Sequence, residues 1–383
     1  YQRRVRGNMG VDQQSLINEA AEGQTKVPPA TSINDFQMLK LLGTGSFAKV
    51  ALMRRHINNK LYAVKIIQKS QVISSNEVEH TNAELKILLQ MNHPFILRCH
   101  GAFQNSEYLF IVLDFATAGE LFYHMQKVRT FPESVARMLV AQILLALQAL
   151  HARKVIMRDL KPENILMFDD GYVKLADFGL SKISHGQEAQ GTTFCGTMEY
   201  LSPEQIRQVP HGTGVDYWAL GCLAYEMIAG VLPFYNANKK QMVKNILKAE
   251  PQFSDRFSPA AKNFIQQCLE KSPEKRLTWE SASRHPWMAQ VDFEKFLAKQ
   301  YEMQYKPTVH LNKTNVDLSN FDKRFIDQEI DMTEFTSGAE IKNQELFDDF
   351  DIDQQLAEQM VAEKFKKAIE THGANEFVMD GQK

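Results

Sequence analysis

The sequence has few cysteines and no long uninterrupted apolar run, and both absences narrow its function. Four cysteines lie far apart among the 383 residues, without C-x-x-C spacing. This argues against a disulfide framework or a zinc ribbon, and it suits a reducing compartment. A cytoplasmic location, or a nuclear one as well, is therefore expected. No apolar stretch approaches the roughly 18 residues that a membrane-spanning helix needs, so no membrane span is expected.

The sequence also lacks an excess of charge of either sign. Lys and Arg together number 44 and Asp and Glu number 46, so the formal net charge is -2. A global basic surface for nucleic acid or for a membrane is therefore not expected. A hydrophobic content of 44% and a charged content of 23% are ordinary for a globular protein, and the length allows two or more lobes.

Three polar residues flank a predicted hairpin in the middle of the chain: Asp159, Asn164 and Asp177. Residues 164–167 and 172–176 have the pattern of two short strands, and Asp170-Gly171 is a dipeptide that joins such strands in a tight turn. Folding of the hairpin brings the three polar side chains to one end. Asn164 and Asp177 could then hold Mg²⁺, which prefers oxygen ligands. Asp159 is left to accept the proton of an attacking hydroxyl.

A glycine-containing loop, residues 43–50, lies between two predicted strands and indicates phosphate binding, because glycines let backbone N–H groups approach phosphates. A dinucleotide fold would need a helix directly after the glycines, and a P-loop would need G-K-[ST]; neither is present. A kinase-type loop predicts a lysine on the next strand, and Lys65 is there. Ala48 replaces the third glycine of that pattern, which does not remove the N–H donors.

Other segments are assigned by their periodicity. Residues 74–91 are predicted as a helix whose Glu84 could hold Lys65, although Glu84 alone would be read as a solvated helix carboxylate. A buried strand at 108–113 leads into a hinge. Residues 133–151 and 216–229 are predicted as buried core helices.

From residue 36 to 352 the sequence resembles a serine/threonine protein kinase of the AGC group, and it is similar to cyclic-AMP-dependent protein kinase catalytic subunits. The motifs that carry the resemblance are VEHT at 78–81, GELF at 119–122, RDLKPEN at 158–164, DFG at 177–179, TFCGT at 193–197, SPE at 202–204 and YEM at 225–227. The resemblance implies ATP and Mg²⁺ as cofactors. It also implies protein substrates, an upstream activating kinase and a regulatory subunit as partners.

The resemblance further implies an α+β, bilobal protein kinase fold with an AGC-type tail. An N-terminal extension (1–35) precedes a kinase domain (36–287) that consists of an N-lobe (36–113), a hinge (114–119) and a C-lobe (120–287). An AGC-type tail (288–352) and an amphipathic extension (353–383) follow.

The resemblance assigns roles to residues of this chain. The expected catalytic residues are Lys65, Glu84, Asp159, Lys161, Asn164 and Asp177. The expected nucleotide site comprises Leu42, Gly43, Thr44, Gly45, Ser46, Phe47, Ala48, Val50, Ala63, Lys65, Asp114, Ala116, Glu120 and Leu166. The carboxylates expected to receive substrate arginines are Glu120, Glu163, Glu199 and Glu226.

Regulation is expected at two places. A phosphate on Thr193 would be reachable by Arg158, Lys182 and His80, and it would help to seat Glu84 toward Lys65. In the tail, Phe347 and Phe350 resemble a hydrophobic motif that docks on the N-lobe, with Asp351 at the usual phosphosite as a fixed carboxylate. Two alternatives to an active AGC kinase remain, a catalytically weak ATP-binding scaffold and a kinase of the calcium/calmodulin type.

Overall fold

The computed structural model describes residues 30–45, 47–183, 197–310, 316–329, 331–336 and 343–353. The described chain forms a β-rich N-lobe and a mostly helical C-lobe, so the predicted bilobal fold is confirmed. The N-lobe elements are β1 (Phe36–Thr44), β2 (Ala48–Arg55), β3 (Leu61–Gln68), α1 (Lys69–Ser74), α2 (Val78–Gln90), β4 (Cys99–Gln104) and β5 (Tyr108–Asp114). The strands form an antiparallel sheet in the order β1-β2-β3-β5-β4, and β11 (Ile352–Asp353) from the tail pairs with the free edge of β4.

The helix predicted over residues 74–91 is wrong at its start. The structure has two helices there, α1 and α2, because the chain turns between them at residues 75–77. Asn76 adopts φ 58° in this turn, a left-handed conformation that Asn tolerates better than most residues and that cannot continue a helix. Glu84 nevertheless lies in the middle of α2, 5% exposed, on the face that packs against the sheet.

The C-lobe is built around two apolar helices, Glu133–Ala152 and Gly214–Ala229. Its elements are β6 (Gly119–Glu120), α3 (Leu121–Val128), α4 (Glu133–Ala152), β7 (Val155–Ile156), β8 (Ile165–Met167), β9 (Val173–Leu175), β10 (Lys182–Ile183), α5 (Pro203–Ile206), α6 (Gly214–Ala229), α7 (Lys239–Lys248), α8 (Pro259–Cys268) and α9 (Trp279–Ser283). Among the described residues, α4 alone is long and apolar enough to cross a membrane. Within the C-lobe, 78% of its apolar window is buried, as in the core helix of a globular protein.

The predicted tight turn at Asp170-Gly171 joins β8 and β9, which pair antiparallel. Gly171 has φ +83°, and a Cβ there would lie 2.4 Å from the backbone oxygen of Tyr305. The position therefore requires glycine twice over, for its backbone conformation and for the close approach of the tail. The turn fixes the two strand ends that carry Asn164 and Asp177.

The tail returns from the C-lobe to the N-lobe. Its helices are α10 (Phe293–Leu297), α11 (Lys323–Ile326) and α12 (Thr333–Thr336), and a 3₁₀ helix (Gln344–Phe350) precedes β11. Phe335, Phe347 and Phe350 are each 1% exposed against the N-lobe. Burial of each aromatic ring is worth about 2 kcal/mol, so the tail is an integral part of the packed structure.

Candidate active site

An ion pair joins the sheet and the helix of the N-lobe. Lys65 on β3 donates from Nζ to both carboxylate oxygens of Glu84 on α2, at 2.6 and 2.8 Å. Burial lowers the pKa of Lys65, but the negative charges of Glu84 and Asp177 outweigh it and raise that pKa. Lys65 is thus a fixed cation whose position depends on α2.

The catalytic loop forms a second, self-contained cluster. Lys161 Nζ lies 2.8 Å from Asp159 Oδ2, and the amide nitrogen of Asn164 donates to the same oxygen at 3.0 Å and to the backbone oxygen of Asp159 at 2.9 Å. Asp159 is 9% exposed, so its carboxylate is held in one orientation. Because the Asn164 nitrogen is used in this way, its amide oxygen is the atom that can accept a metal ion.

Asp177 follows β9 and lies next to both clusters. The backbone N–H of Ala176 donates to the Asn164 carbonyl at 2.9 Å, which ties the two loops together. A Cβ added at Gly179 would lie 3.3 Å from Asp177 Oδ1 and 3.8 Å from Glu84 Oε2. The Asp177 carboxylate is exposed, and its backbone has φ 60°, an uncommon conformation of a kind that is found at functional sites.

Mg²⁺ fits the oxygen atoms that these loops present. The exposed Asp177 carboxylate and the amide oxygen of Asn164 are hard ligands, and Mg²⁺ typically uses one or two such groups together with water and phosphate. Within the described residues there is no cluster of three His, Cys, Asp or Glu side chains that would hold a metal by protein ligands alone. The arrangement suits a metal ion that arrives with a nucleotide.

A buried aspartate holds the backbone of the catalytic loop. Asp216 on α6 accepts hydrogen bonds from the N–H groups of Met157 and Arg158 at 3.0 and 2.8 Å, and from His151 Nε2 at 2.7 Å. Arg158 adopts φ 64° in this loop. The bonds to Asp216 stabilise that strained conformation. Four apolar residues from the two lobes, Leu88, Cys99, Met157 and Phe178, are buried in one core cluster.

A second buried ion pair holds the short helix α5 in place. Glu204, at the start of α5, receives Arg276 at 2.6 and 3.1 Å. Both side chains are at most 5% exposed. Arg276 also donates to the Gly214 carbonyl, so the pair fixes α5 against the start of α6.

The expected nucleotide-site residues lie along the cleft. Half-buried apolar side chains from both lobes border it: Leu42, Phe47, Ala48, Val50 and Leu166. Ala63 and Ala116 are buried, Gly43 and Thr44 end β1, Gly45 follows them in the β1–β2 turn, and Ser46 lies outside the described residues. The side chain of Asp114 is engaged with His100 and Lys174, which leaves only its backbone for a nucleotide.

Three of the four expected substrate carboxylates form one electrostatic group: Glu120, Glu163 and Glu226. Glu120 is open to solvent on one side, yet burial of the remainder, together with Glu163 and Asp322, raises its pKa to about 7. Burial and Glu163 raise the pKa of Glu226, which accepts a short hydrogen bond from the Tyr200 hydroxyl.

Glu163 completes this group, and one of its oxygens is buried without a hydrogen-bond partner. Unpaired carboxylates packed this closely favour a cationic ligand. Glu199 lies half-buried in the 3₁₀ helix Met198–Tyr200, and no contact joins it to the other three in the part of the chain that is described.

The structure describes only some of the residues that are predicted to regulate activity. Thr193 lies outside the described residues. Arg158 donates from Nε to the Leu180 carbonyl at 2.7 Å, and Lys182 lies in β10, which pairs with β7. His80 is exposed and contacts Glu77 at 2.6 Å. The predicted convergence of these residues on a phosphate therefore stays a prediction.

The tail motif docks on the N-lobe with its carboxylate engaged. Asp351 accepts from the backbone N–H of Gln104 at 2.9 Å and from its side-chain amide at 2.8 Å. Sequence analysis missed the neighbouring Lys69, which is fully buried and donates to Gln104, to Gln344 and to the backbone oxygen of Asn105. Burial lowers the pKa of Lys69 to about 8.

A second tail contact was also missed. Glu334 pairs with Lys49 at 2.7 Å beside the buried ring of Phe335. The isolated aromatic residue in a polar tail was the available signal, because a buried Phe needs an apolar surface to cover it.

Comparison with known proteins agrees with this geometry. Residues 36–288 match the family described as Protein kinase domain. The chain is 40% identical over 297 residues to cAMP-dependent protein kinase type 3 of Saccharomyces cerevisiae, covering 76% of this chain and 73% of that protein. It is 39% identical over 312 residues to the RAC family serine/threonine-protein kinase homolog of Dictyostelium discoideum, covering 81% of this chain and 70% of the relative.

A third relative is much longer than the aligned region. Serine/threonine-protein kinase YPK1 of Saccharomyces cerevisiae is 42% identical over 297 residues, which cover 77% of this chain and 43% of that protein. The aligned region thus spans less than half of this relative.

Proposed function

The chain belongs to the protein kinase family and is a serine/threonine kinase of its AGC group, and from this premise we propose that it transfers the γ-phosphate of magnesium-bound ATP to protein segments with basic residues before the acceptor. The observation that carries the proposal is the placement of the Lys65–Glu84 pair next to Asp177, across from the Asp159–Lys161–Asn164 cluster. A kinase of the calcium/calmodulin type and an inactive scaffold are not favoured by the relatives.

Each cluster would have its own task in the transfer. Lys65, held by Glu84, would orient the α- and β-phosphates. Asn164 and Asp177 would hold Mg²⁺, which when bound neutralises charge on the phosphates. Asp159 would accept the proton of the substrate hydroxyl, and the ammonium of Lys161 at 2.8 Å would offset negative charge that develops nearby. Both clusters are already paired within the protein, which fixes the side chains of Lys65 and Asp159 before a ligand arrives.

Recognition of basic substrates follows from the acidic group. Burial, and in addition the charge of Glu163, raises the pKa values of Glu120 and Glu226, so a guanidinium that lies among these carboxylates would relieve their repulsion. Arg is favoured over Lys because its planar fork can engage two carboxylate oxygens at once. We expect basic residues two or three positions before the acceptor.

The direct test is transfer of labelled phosphate from ATP to peptides that differ in one arginine. Phosphorylation of serine or threonine that is abolished by EDTA and restored by Mg²⁺ is expected. An inactive scaffold would instead bind ATP without transferring phosphate. Equal rates for the peptides with and without arginine would remove the specificity part of the proposal and leave the kinase intact.

Activation is proposed to depend on Thr193, phosphorylated by an upstream kinase. The support is Arg158, which precedes the catalytic base Asp159 and whose Nε donates to the Leu180 carbonyl. A phosphate adds about two negative charges, which such a cation can receive. Thr193→Ala should lower kcat strongly, and turnover unchanged from that of the phosphorylated wild type would contradict the switch. The proposal also includes a regulatory subunit, which a pull-down would test. It further includes a cytoplasmic and nuclear location, which cell fractionation would test.

A further inference from the structure

The side chain of Asp114, at the end of β5, connects the two lobes on the outer side of the hinge. Its Oδ1 accepts from His100 Nε2 at 2.8 Å, and its Oδ2 lies 2.6 Å from Lys174 Nζ. His100 belongs to β4 in the N-lobe, and Lys174 belongs to β9 in the C-lobe. One carboxylate at the first hinge residue therefore holds a partner from each lobe.

The N-lobe end of this connection is shaped by a β-bulge. Cys99 pairs with Leu113 and Gly101 with Val112, so His100 is the extra residue on β4. A bulge redirects the side chain of the inserted residue, and Gly101 permits it by adopting φ 146°. Tyr62 then packs edge-on against the His100 ring, with the ring centroids 5.1 Å apart.

The C-lobe end is equally fixed. Leu175, which follows Lys174, donates its N–H to Phe95 and accepts from the N–H of Leu97, each at 2.9 Å. The ammonium of Lys174 lies over the ring of Phe168, with Nζ 5.2 Å from the ring centroid. The ammonium can therefore hold the hinge carboxylate without having to order a flexible side chain first.

The charges support a persistent contact. The side chains of Asp114 and Lys174 are only 20% and 15% exposed. Burial alone would raise the pKa of Asp114, but hydrogen bonding from His100 and the charge of Lys174 lower it to about 2. Asp114 is accordingly ionised at neutral pH, and the ion pair is partly shielded from solvent and salt.

We propose that Lys174 and His100 are positioning residues for nucleotide binding, because they fix the carboxylate of Asp114 and thereby the backbone of residues 114–116 against which adenine would lie. The inference rests on the proposed function, since it assumes that the hinge backbone contacts the nucleotide. Neither residue touches the nucleotide itself. Their loss should weaken nucleotide binding and leave peptide recognition unchanged.

Lys174→Met tests the proposal, because methionine keeps an unbranched side chain and removes the charge that pairs with Asp114. Lys299→Met is the matched control: Lys299 also lies over Phe168, at 6.0 Å, but it pairs with the exposed Asp170 in the β8–β9 turn, at 3.3 Å. We expect Lys174→Met to raise the Kd for Mg·ADP and the KM for ATP about five-fold, with the peptide KM unchanged. Lys299→Met should change neither value, and Lys174→Arg should restore most of the affinity.

Two further measurements separate positioning from general destabilisation. Hydrogen exchange at residues 112–119 should accelerate in Lys174→Met, because the Asp114 N–H is bonded to the Arg98 carbonyl and the Ala118 N–H to that of Met167. Exchange in α4 and α6 should stay as in the wild type. Asp114→Asn should reproduce the affinity loss, and the double variant should be no worse than either single one, since both remove the same contact.

The possible failures are distinguishable. If the wild-type protein does not bind Mg·ADP, the proposed function fails. If it binds and Lys174→Met binds within two-fold of it, the positioning role alone is overturned. An equal loss in Lys299→Met, or accelerated exchange throughout the C-lobe, would also overturn it.

Discussion

Two groups of carboxylates around the candidate active site are held in opposite ways. Glu84 and Asp159 each have a lysine of this chain within 2.8 Å. Glu120, Glu163 and Glu226 have no ion pair within 4.0 Å among the described residues, and the pKa values of Glu120 and Glu226 are raised. The first group is complete before any ligand arrives, whereas the second retains negative charge that a cationic ligand would neutralise.

The difference separates catalysis from recognition in physical terms. A general base must be in place when the hydroxyl arrives, so its orientation is fixed by neighbours inside the protein. A specificity site gains more if its charges are unpaired beforehand, because the correct substrate then relieves repulsion that a neutral one does not. Four substitutions or conditions test whether this division holds.

The largest effect is expected in the group of carboxylates that already pair with a lysine. Asp159→Asn keeps the size and one hydrogen-bond acceptor but cannot accept a proton, so kcat should fall about 100- to 10,000-fold. Nucleotide affinity, measured by titration with Mg·ADP, should stay close to that of the wild type. A loss smaller than ten-fold would show that Asp159 is not the base.

The second-largest effect is expected in the group of carboxylates without an ion pair among the described residues. Combining Glu163→Gln with Glu226→Gln removes two of the three charges, and the KM for an arginine-containing peptide should rise about 10- to 100-fold with kcat little changed. Glu199→Gln is the matched control outside this group and should have a smaller effect. A loss confined to kcat would assign the group to catalysis and break the comparison.

A smaller effect is expected from pH. Because the pKa of Glu120 is raised to about 7, its carboxylate gains a proton as the pH falls from about 8 to about 6, and the arginine-peptide KM should rise about three-fold. Glu120→Gln should remove this dependence. The effect on stability has the opposite sign: a folded-state pKa above the unfolded value of 4.5 means that the free energy of unfolding decreases as pH rises from about 4.5 to about 7.

The smallest effect is expected at Asp351, whose carboxylate is satisfied by a neutral amide. Asp351→Asn keeps one acceptor for Gln104 and should lower the free energy of unfolding by about 1 kcal/mol, measured as a shift of the denaturant midpoint. Activity should fall about two-fold or less. Rapid hydrogen exchange at residues 344–350 in this variant would mean that the tail has detached. That result would show that the Asp351 carboxylate is required for docking of the tail.

Sequence analysis predicted the contacts within the candidate site because the residues that make them lie in short motifs. Asp159, Lys161 and Asn164 are a few positions apart, and the Asp170-Gly171 turn determines where Asp177 comes. The prediction that Lys65 pairs with Glu84 depended on a strand followed by a helix. The helix begins later than predicted, but Glu84 still lies within it, so the predicted pair is present. Local spacing was sufficient for these residues because the elements that carry them are themselves local.

Contacts between distant segments were not predictable in this way. Lys69 meets Gln344 across 275 residues, and Lys49 meets Glu334 across 285. The Asp114–His100–Lys174 connection depends on a bulge, and no local pattern announces an extra residue in a strand. These contacts come from the packing of the complete chain, in which each residue alone looks like an ordinary surface charge.

The pairing of β11 with β4 has a consequence beyond docking. Without these two residues, the last strand of the N-lobe sheet would present free N–H and C=O groups to solvent, and such a border is a template on which another chain can add. The end of the tail therefore also shields the sheet from aggregation, and a shortened chain would be prone to self-association even if its catalytic loops were intact.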